Sequence, residues 1–343
     1  MQRGRNRGFT LIELLVVISI VALLMGLLLP AIGKSRDSAK VAISMSNLRN
    51  FGAAHATYAS EWNGRQWTVC PDDLTVMVPA PVIRSDYAGT RVPPVPFGYD
   101  KFGVHHQSTD GQFITPMWWP GNCSLGSFRA FHTKPFNQYV NKKIYDPIFW
   151  APKDYTIQDR IFQFMEDPGE WPSVNPYFYK STYCTSIAAQ VSPDVYRGAT
   201  QGFSQRPDAL PAGFRSPNLS SATFPDLKTH MLEHYWLQNN PSESIPGTAG
   251  VPWFFNMGPD STPATLFFDG HVRMMSVREA VASSRRVVAQ GGDKLDANDP
   301  ACFGSGGYFQ SYGYSGANGR GEINSYHVFT RDGIKGRDTI GSG

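Results

Sequence analysis

Charge is scarce in this chain. Asp, Glu, Lys and Arg make up 17% of its 343 residues, against 41% apolar and 13% aromatic. That balance excludes a disordered chain, because there is ample apolar side chain to build a core. A basic surface is missing as well. Arg3, Arg5 and Arg7 account for the whole formal charge of +3, and beyond residue 8 the remaining 28 Lys and Arg meet 28 Asp and Glu. A nucleic-acid partner is therefore not expected. Cysteine is sparse too: Cys70, Cys123, Cys184 and Cys302 form no C-x-x-C pair, which argues against a zinc knuckle or a thioredoxin-like centre. Two bridges among them allow three pairings if the body is extracytoplasmic, and four buried thiols are the alternative.

Catalytic signatures are also lacking. No Gly-x-Ser-x-Gly elbow and no His-Glu-x-x-His run occurs. Gly33-Lys34-Ser35 imitates the end of a phosphate-binding loop, but the position of its first glycine holds Leu28. His105-His106 are adjacent, and His230 and His234 flank Glu233. On a helix the second pair could share a metal, but Thr229-His230-Met231-Leu232-Glu233 reads equally well as a strand. Asp293, Asp296, Asn298 and Asp299 put hard oxygen donors in one loop, so calcium is the single cofactor the composition leaves open. Their spacing is not that of an EF-hand, and a solvated acidic loop is the simpler reading.

What the sequence does have is concentrated at its start. After the three arginines and Gly8, the run Leu14 to Gly33 carries no charge, and Glu13 is the single acid at its entrance. Basic residues ahead of about 20 apolar ones mark a membrane span with its short N-terminus in the cytoplasm, which places the body across the membrane. A cleaved secretory signal fits poorly, because no Ala-x-Ala site follows Pro30-Ala31-Ile32-Gly33-Lys34. Glu13 is out of place in a plain anchor, since a carboxylate in lipid costs several kcal/mol unless it is paired.

The segment Gly8-Phe9-Thr10-Leu11-Ile12-Glu13-Leu14-Leu15-Val16-Val17 closely resembles the N-terminal signal of type IV pilins and type II secretion pseudopilins. The resemblance implies cleavage by a prepilin peptidase between Gly8 and Phe9 and N-methylation of Phe9. It also implies a Glu13 that faces the terminal amine of a neighbouring subunit. Pro30 matches a position where pilin helices often carry proline, which bends or loosens a helix by removing a backbone hydrogen bond. The implied protein is structural and not an enzyme. Its implied partners are the peptidase, other pilin-like subunits and the bacterial inner membrane, in a pseudopilus or pilus for secretion. The alternative is a membrane-anchored extracytoplasmic binding module that captures a polymer or surface partner.

Beyond Lys34 the apolar residues become periodic. Val41, Met45, Leu48, Phe51, His55, Tyr58 and Trp62 fall on one helical face, with Lys40, Ser46, Arg49, Asn50 and Ser60 opposite and Asn63-Gly64 as a stop. One helix from Phe9 to Trp62 would be roughly 80 Å long, with His55 as a buried structural residue. The expected fold is therefore α+β and pilin-like: a long N-terminal helix packed on an antiparallel sheet headgroup with a large loop-rich insertion. The expected organisation is a leader (1–8), an assembly helix (9–33), its amphipathic continuation (34–64) and a β-rich headgroup (65–343), in which 65–250 is the elaborated part. Within 251–343, apolar runs flank Asp269-Gly270, a pair favoured in tight hairpins. The segment also resembles the Asp-Gly signature of large planctomycete-type pilin-like proteins, except that Pro259 stands where their histidine commonly lies. Ser276-Val277-Arg278-Glu279 is a capping box that predicts a helix to about Gln290, and residues 323–330 read as a final strand.

Overall fold

The structure is a computed structural model. It describes residues 10–68, 76–77, 91–92, 134–142, 146–154, 181–186, 189–190, 192–195, 212, 215–233, 262–276, 279 and 333–339. The chain divides into two units, Met1–Ile43 and Ser44–Gly343. A single helix, α1 (Leu11–Glu61), contributes to both.

In the first unit α1 has no core to face. Every residue from Thr10 to Ala39 is exposed, including every Leu, Ile and Val up to Ile32. Burial begins at Ser44 and follows the expected stripe: Leu48, Phe51, His55 and Tyr58 are buried, while Ser46, Arg49, Asn50 and Ser60 face solvent. The helix stops at the expected place. Asn63 takes a left-handed φ of 54° and Gly64 one of 78°, and the Gly64 N–H returns to Ala59 O at 2.7 Å. That six-to-one bond is a Schellman closure, with Asn in the left-handed position it tolerates better than most residues. Trp62 lies just past the helix and stays 45% exposed. Its ring stacks on Tyr58, and its Nε1–H donates to Tyr139 Oη at 3.2 Å.

Opposite the stripe stands a four-stranded antiparallel meander of β3 (Tyr183–Thr185), β4 (Thr229–Glu233), β5 (Ala264–Phe267) and β6 (Val272–Met274). Two of these strands, β3 and β4, come from within residues 65–250. A separate pair, β1 (Val76–Met77) and β2 (Arg91–Val92), is antiparallel as well. Tyr183, Met231, Ala264, Leu266 and Val272 from the sheet join Leu48, Phe51, Ala54 and Tyr58 from α1 in one core. Phe136 of the short helix α2 (Lys134–Asn137), Phe149, Trp150 and Trp67 complete it. Gly52 lets helix and sheet approach closely, for a Cβ there would lie 3.3 Å from Leu266 Cδ1.

Thr229-His230-Met231-Leu232-Glu233 is therefore a strand, with an irregularity. Met231 pairs with Leu266 but Thr229 pairs with Phe267, so β4 carries one extra residue at His230. Such a bulge re-aims the inserted side chain, and His230 packs on His55 of α1 with ring centroids 4.3 Å apart.

The Asp269-Gly270 hairpin forms between β5 and β6, but with a loop one residue longer than a two-residue turn. The Phe267 N–H donates to His271 O and the Gly270 N–H to Phe267 O, both at 3.0 Å, which encloses Phe268, Asp269 and Gly270. Only Gly270, at φ 89°, is left-handed among the three. This is the three-residue hairpin with glycine in the left-handed position. Asp269 serves the loop through its carboxylate, accepting the His271 N–H at 3.0 Å. The capping box is half formed: Ser276 Oγ accepts the Glu279 N–H at 3.0 Å, whereas Glu279 turns its carboxylate to Arg273 at 2.8 Å. The rest of the expected helix and the strand at 323–330 lie outside the described residues.

Candidate functional site

The segment with an assignable task is the exposed start of α1. From Leu14 to Gly33 it carries no charge over 20 residues, which at 1.5 Å per residue is about 30 Å, the thickness of a bilayer's hydrocarbon core. It is the single helix among the described residues long and apolar enough to cross a membrane. Its polar side chain Ser19 returns its hydroxyl to Leu15 O at 2.7 Å, the self-satisfaction that lipid demands. α1 continues as helix through Pro30. The missing N–H there faces the carbonyl of Gly26, four residues back. Gly33-Lys34-Ser35 lies inside α1, so no phosphate loop exists there.

Glu13 has a local partner that its place in the motif conceals. Its Oε2 accepts the Thr10 N–H at 2.8 Å and the Thr10 hydroxyl at 2.7 Å, and Thr10 Oγ1 accepts the Glu13 N–H at 3.3 Å. Thr10-Leu11-Ile12-Glu13 is thus a reciprocal capping box, with a negative charge at the positive end of the helix dipole. The signal was present in the sequence as Thr-x-x-Glu ahead of an apolar run. Gly8 and Phe9 lie outside the described residues, as do His105, His106, His234, Asp293, Asp296, Asn298 and Asp299.

In the headgroup, polar groups pin α1 to the sheet. Ser44 Oγ and Tyr183 Oη are 2.8 Å apart, Ser44 also donates to Glu233 Oε1, and Asn47 Nδ2 donates to Tyr183 Oη at 3.2 Å. Glu233 Oε2 takes the Ala264 N–H at 3.0 Å. Each of these side chains is buried. Burial pushes the Glu233 carboxyl up to about 7, against the hydrogen bonds from Ser44 and Ala264, and it also raises the Tyr183 hydroxyl. His55 and His230 are driven the other way: burial holds His230 down to about 3 and His55 well below its ordinary value. Trp67 and Phe136 face His55, Phe268 stacks on His230, and the cation near His230 is Lys228. Among the described residues no group of three metal-ligating side chains gathers. Glu233, which lies between His230 and His234 in the sequence, is committed to the helix contact.

These shifts set a pH profile. Glu233 ionises near 4.5 when unfolded and near 7 when folded, so its contribution to stability is full below about 4.5 and is lost as pH rises through about 7. The two histidines bind protons near 6.5 when unfolded but resist them when folded. Their contribution is present above 6.5 and is lost as pH falls. From 4.5 to near 7 two histidines outweigh one carboxyl, so headgroup stability should rise with pH and level off near 7, where the remaining titrations nearly cancel. The urea midpoint, followed by tryptophan fluorescence, should fall on the acid side of that plateau. Glu233→Gln should steepen the rise and His55→Phe should flatten it; a Glu233→Gln profile with the wild-type slope contradicts the assignment of Glu233.

Residues 3–29 match a family model described as the prokaryotic N-terminal methylation motif. Over 58 residues the chain is 38% identical to the type II secretion system core protein G of Pseudomonas aeruginosa strain PAO1. That stretch is 17% of this chain and 41% of the relative, so the chain spans less than half of the relative's length. No solved structure matches it. The N-terminal motif, the long apolar helix and the antiparallel sheet packed on its continuation are similar to those of pilins and pseudopilins. The chain's apolar helix fits a membrane-anchored pilin.

Proposed function

We propose that this chain is a structural, non-enzymatic subunit of a secretion pseudopilus or pilus. In this reading a prepilin peptidase cuts between Gly8 and Phe9, and Phe9 is methylated. Residues 1–8 face the cytoplasm and the headgroup lies outside the inner membrane. The observation that carries the reading is the bare apolar surface of α1 from Leu11 to Ile32, entered by one carboxylate already held in a helix cap. In the membrane that surface faces lipid; in a filament it faces the same surface of other subunits. Glu13 Oε2 is occupied by Thr10, so a neighbour's N-terminal amine would add to a preformed anion and not have to order one.

A photo-crosslinking residue at Leu27 tests assembly in membranes. The wild-type sequence should give dimers and larger adducts with its own or other pilin-like chains. Glu13→Ala should still enter the membrane fraction but lose most of these adducts. A Glu13→Ala ladder as strong as the wild-type one would remove the carboxylate from the assembly step.

A further inference from the structure

The headgroup has an open cleft of about 380 Å³ beside the end of α1, at the lower end of the size range of small-molecule sites. Among the described residues three cations line it, Arg65, Arg215 and Lys335, with amides and hydroxyls such as Asn63, Asn218 and Ser221 between them, and no carboxylate. The nearest acid along the chain, Asp194, follows the lining residue Pro193 but is not part of the wall. Arg65 and Arg215 have other partners as well.

The cleft is held by backbone. Arg65 and Asn218 form a β-bridge, the Gln66 N–H donates to Pro217 O at 3.1 Å, and the Leu219 N–H donates to Gly64 O at 2.9 Å. Ser216, itself buried, closes the floor by donating to Gln66 O. Lys335 enters on the 3-10 turn Gly333–Lys335, which opens on a left-handed Gly333 (φ 56°) and packs on the turn Pro193–Val195. Four separated stretches of chain thus build one concavity, and three of them bring cations to it. Arg215 and Lys335 are exposed and Arg65 is half-buried.

We propose that this cleft binds an oxyanion carried on a small hydroxylated molecule, of the acidic-sugar kind. Planar guanidinium groups pair with carboxylate or sulfate through two parallel hydrogen bonds, and the lysine adds a point charge. The serine and asparagine lining suits hydroxyls, and no aromatic side chain stands among the described lining residues. This site does not depend on the assembly reading: a headgroup can bind such a ligand whether or not α1 enters a filament.

Saturation-transfer NMR on the full chain in detergent provides the test, with glucuronate, inorganic sulfate and galactose as probes. Glucuronate should give a saturable signal that sulfate displaces, and neutral galactose should give none. Arg215→Gln with Lys335→Gln should weaken glucuronate binding about tenfold or more while the chain stays folded by far-UV circular dichroism. Arg49→Gln with Lys142→Gln, which removes the same charge from exposed positions elsewhere, should leave binding intact. No signal from glucuronate, an undiminished signal in the cleft variant, or a glucuronate signal that sulfate fails to displace would overturn the proposal. So would binding of a glutamate-rich peptide in place of either probe, because the surface would then be a protein contact.

Discussion

Asp338→Ala should destabilise the headgroup by about 3–5 kcal/mol, the usual consequence of stripping one partner from a buried ion pair. Lys228 Nζ donates to both Asp338 oxygens at 3.0 Å, and neither side chain is exposed at all. The carboxylate also accepts the Thr229 N–H at 2.8 Å, and the Asp338 and Thr339 N–H groups both reach Leu227 O. One side chain therefore ties the C-terminal segment to the start of β4. Burial lowers the Lys228 ammonium and Asp338 opposes that shift. Without the carboxylate, the headgroup must bury an ammonium that has lost its counter-charge or deprotonate it. The double variant Lys228→Met, Asp338→Leu should recover most of the loss in urea unfolding, since an apolar pair of similar volume leaves no stranded charge. A double variant as unstable as the single would show that the pair matters through the Thr229 contact instead.

Phe51→Ala should cost a comparable amount, about 3–5 kcal/mol. Its ring has no exposure, stacks on Phe149 at 5.4 Å and meets the edge of Tyr183 at 5.5 Å. It is where α1, the sheet and the 3-10 turn Pro147–Phe149 come together. Truncation leaves a void that three separate elements would have to close together, and rigid backbone on each side limits the collapse. Arg49→Ala, two residues away on the exposed face, should change stability by less than about 0.5 kcal/mol. Equal effects at the two positions would mean that the helical stripe does not carry the packing.

The stripe was legible because it is local. Leu48, Phe51, His55 and Tyr58 recur at helical spacing, and Asn63-Gly64 ends the helix by its own backbone preference. Trp62 fits the same spacing yet stays exposed, because the chain has left the helix by then. Ser44 and Asn47 could not be read the same way: they are polar residues on a buried face, and the partners that justify them lie 139 and 189 residues away for Ser44 and 136 for Asn47. Lys228 and Asp338 are hidden for the same reason, being 110 residues apart. β3 left little trace, since three residues are too few to show an alternation. The bulge at His230 depends on β5 and has no signature of its own. Glu13 is the instructive case: its motif pointed to a neighbouring chain, while the same four residues also carry the capping-box spacing that pairs it with Thr10.

Entry of the chain into a prepilin route can be read from the intact mass of the membrane-extracted protein and its N-terminal peptide. The mature chain should begin at N-methyl-Phe9, and a Gly8→Leu variant should keep residues 1–8 and carry no methyl group. An uncut wild-type N-terminus in cells with an active prepilin peptidase would contradict it, leaving an anchored headgroup with no route to a filament.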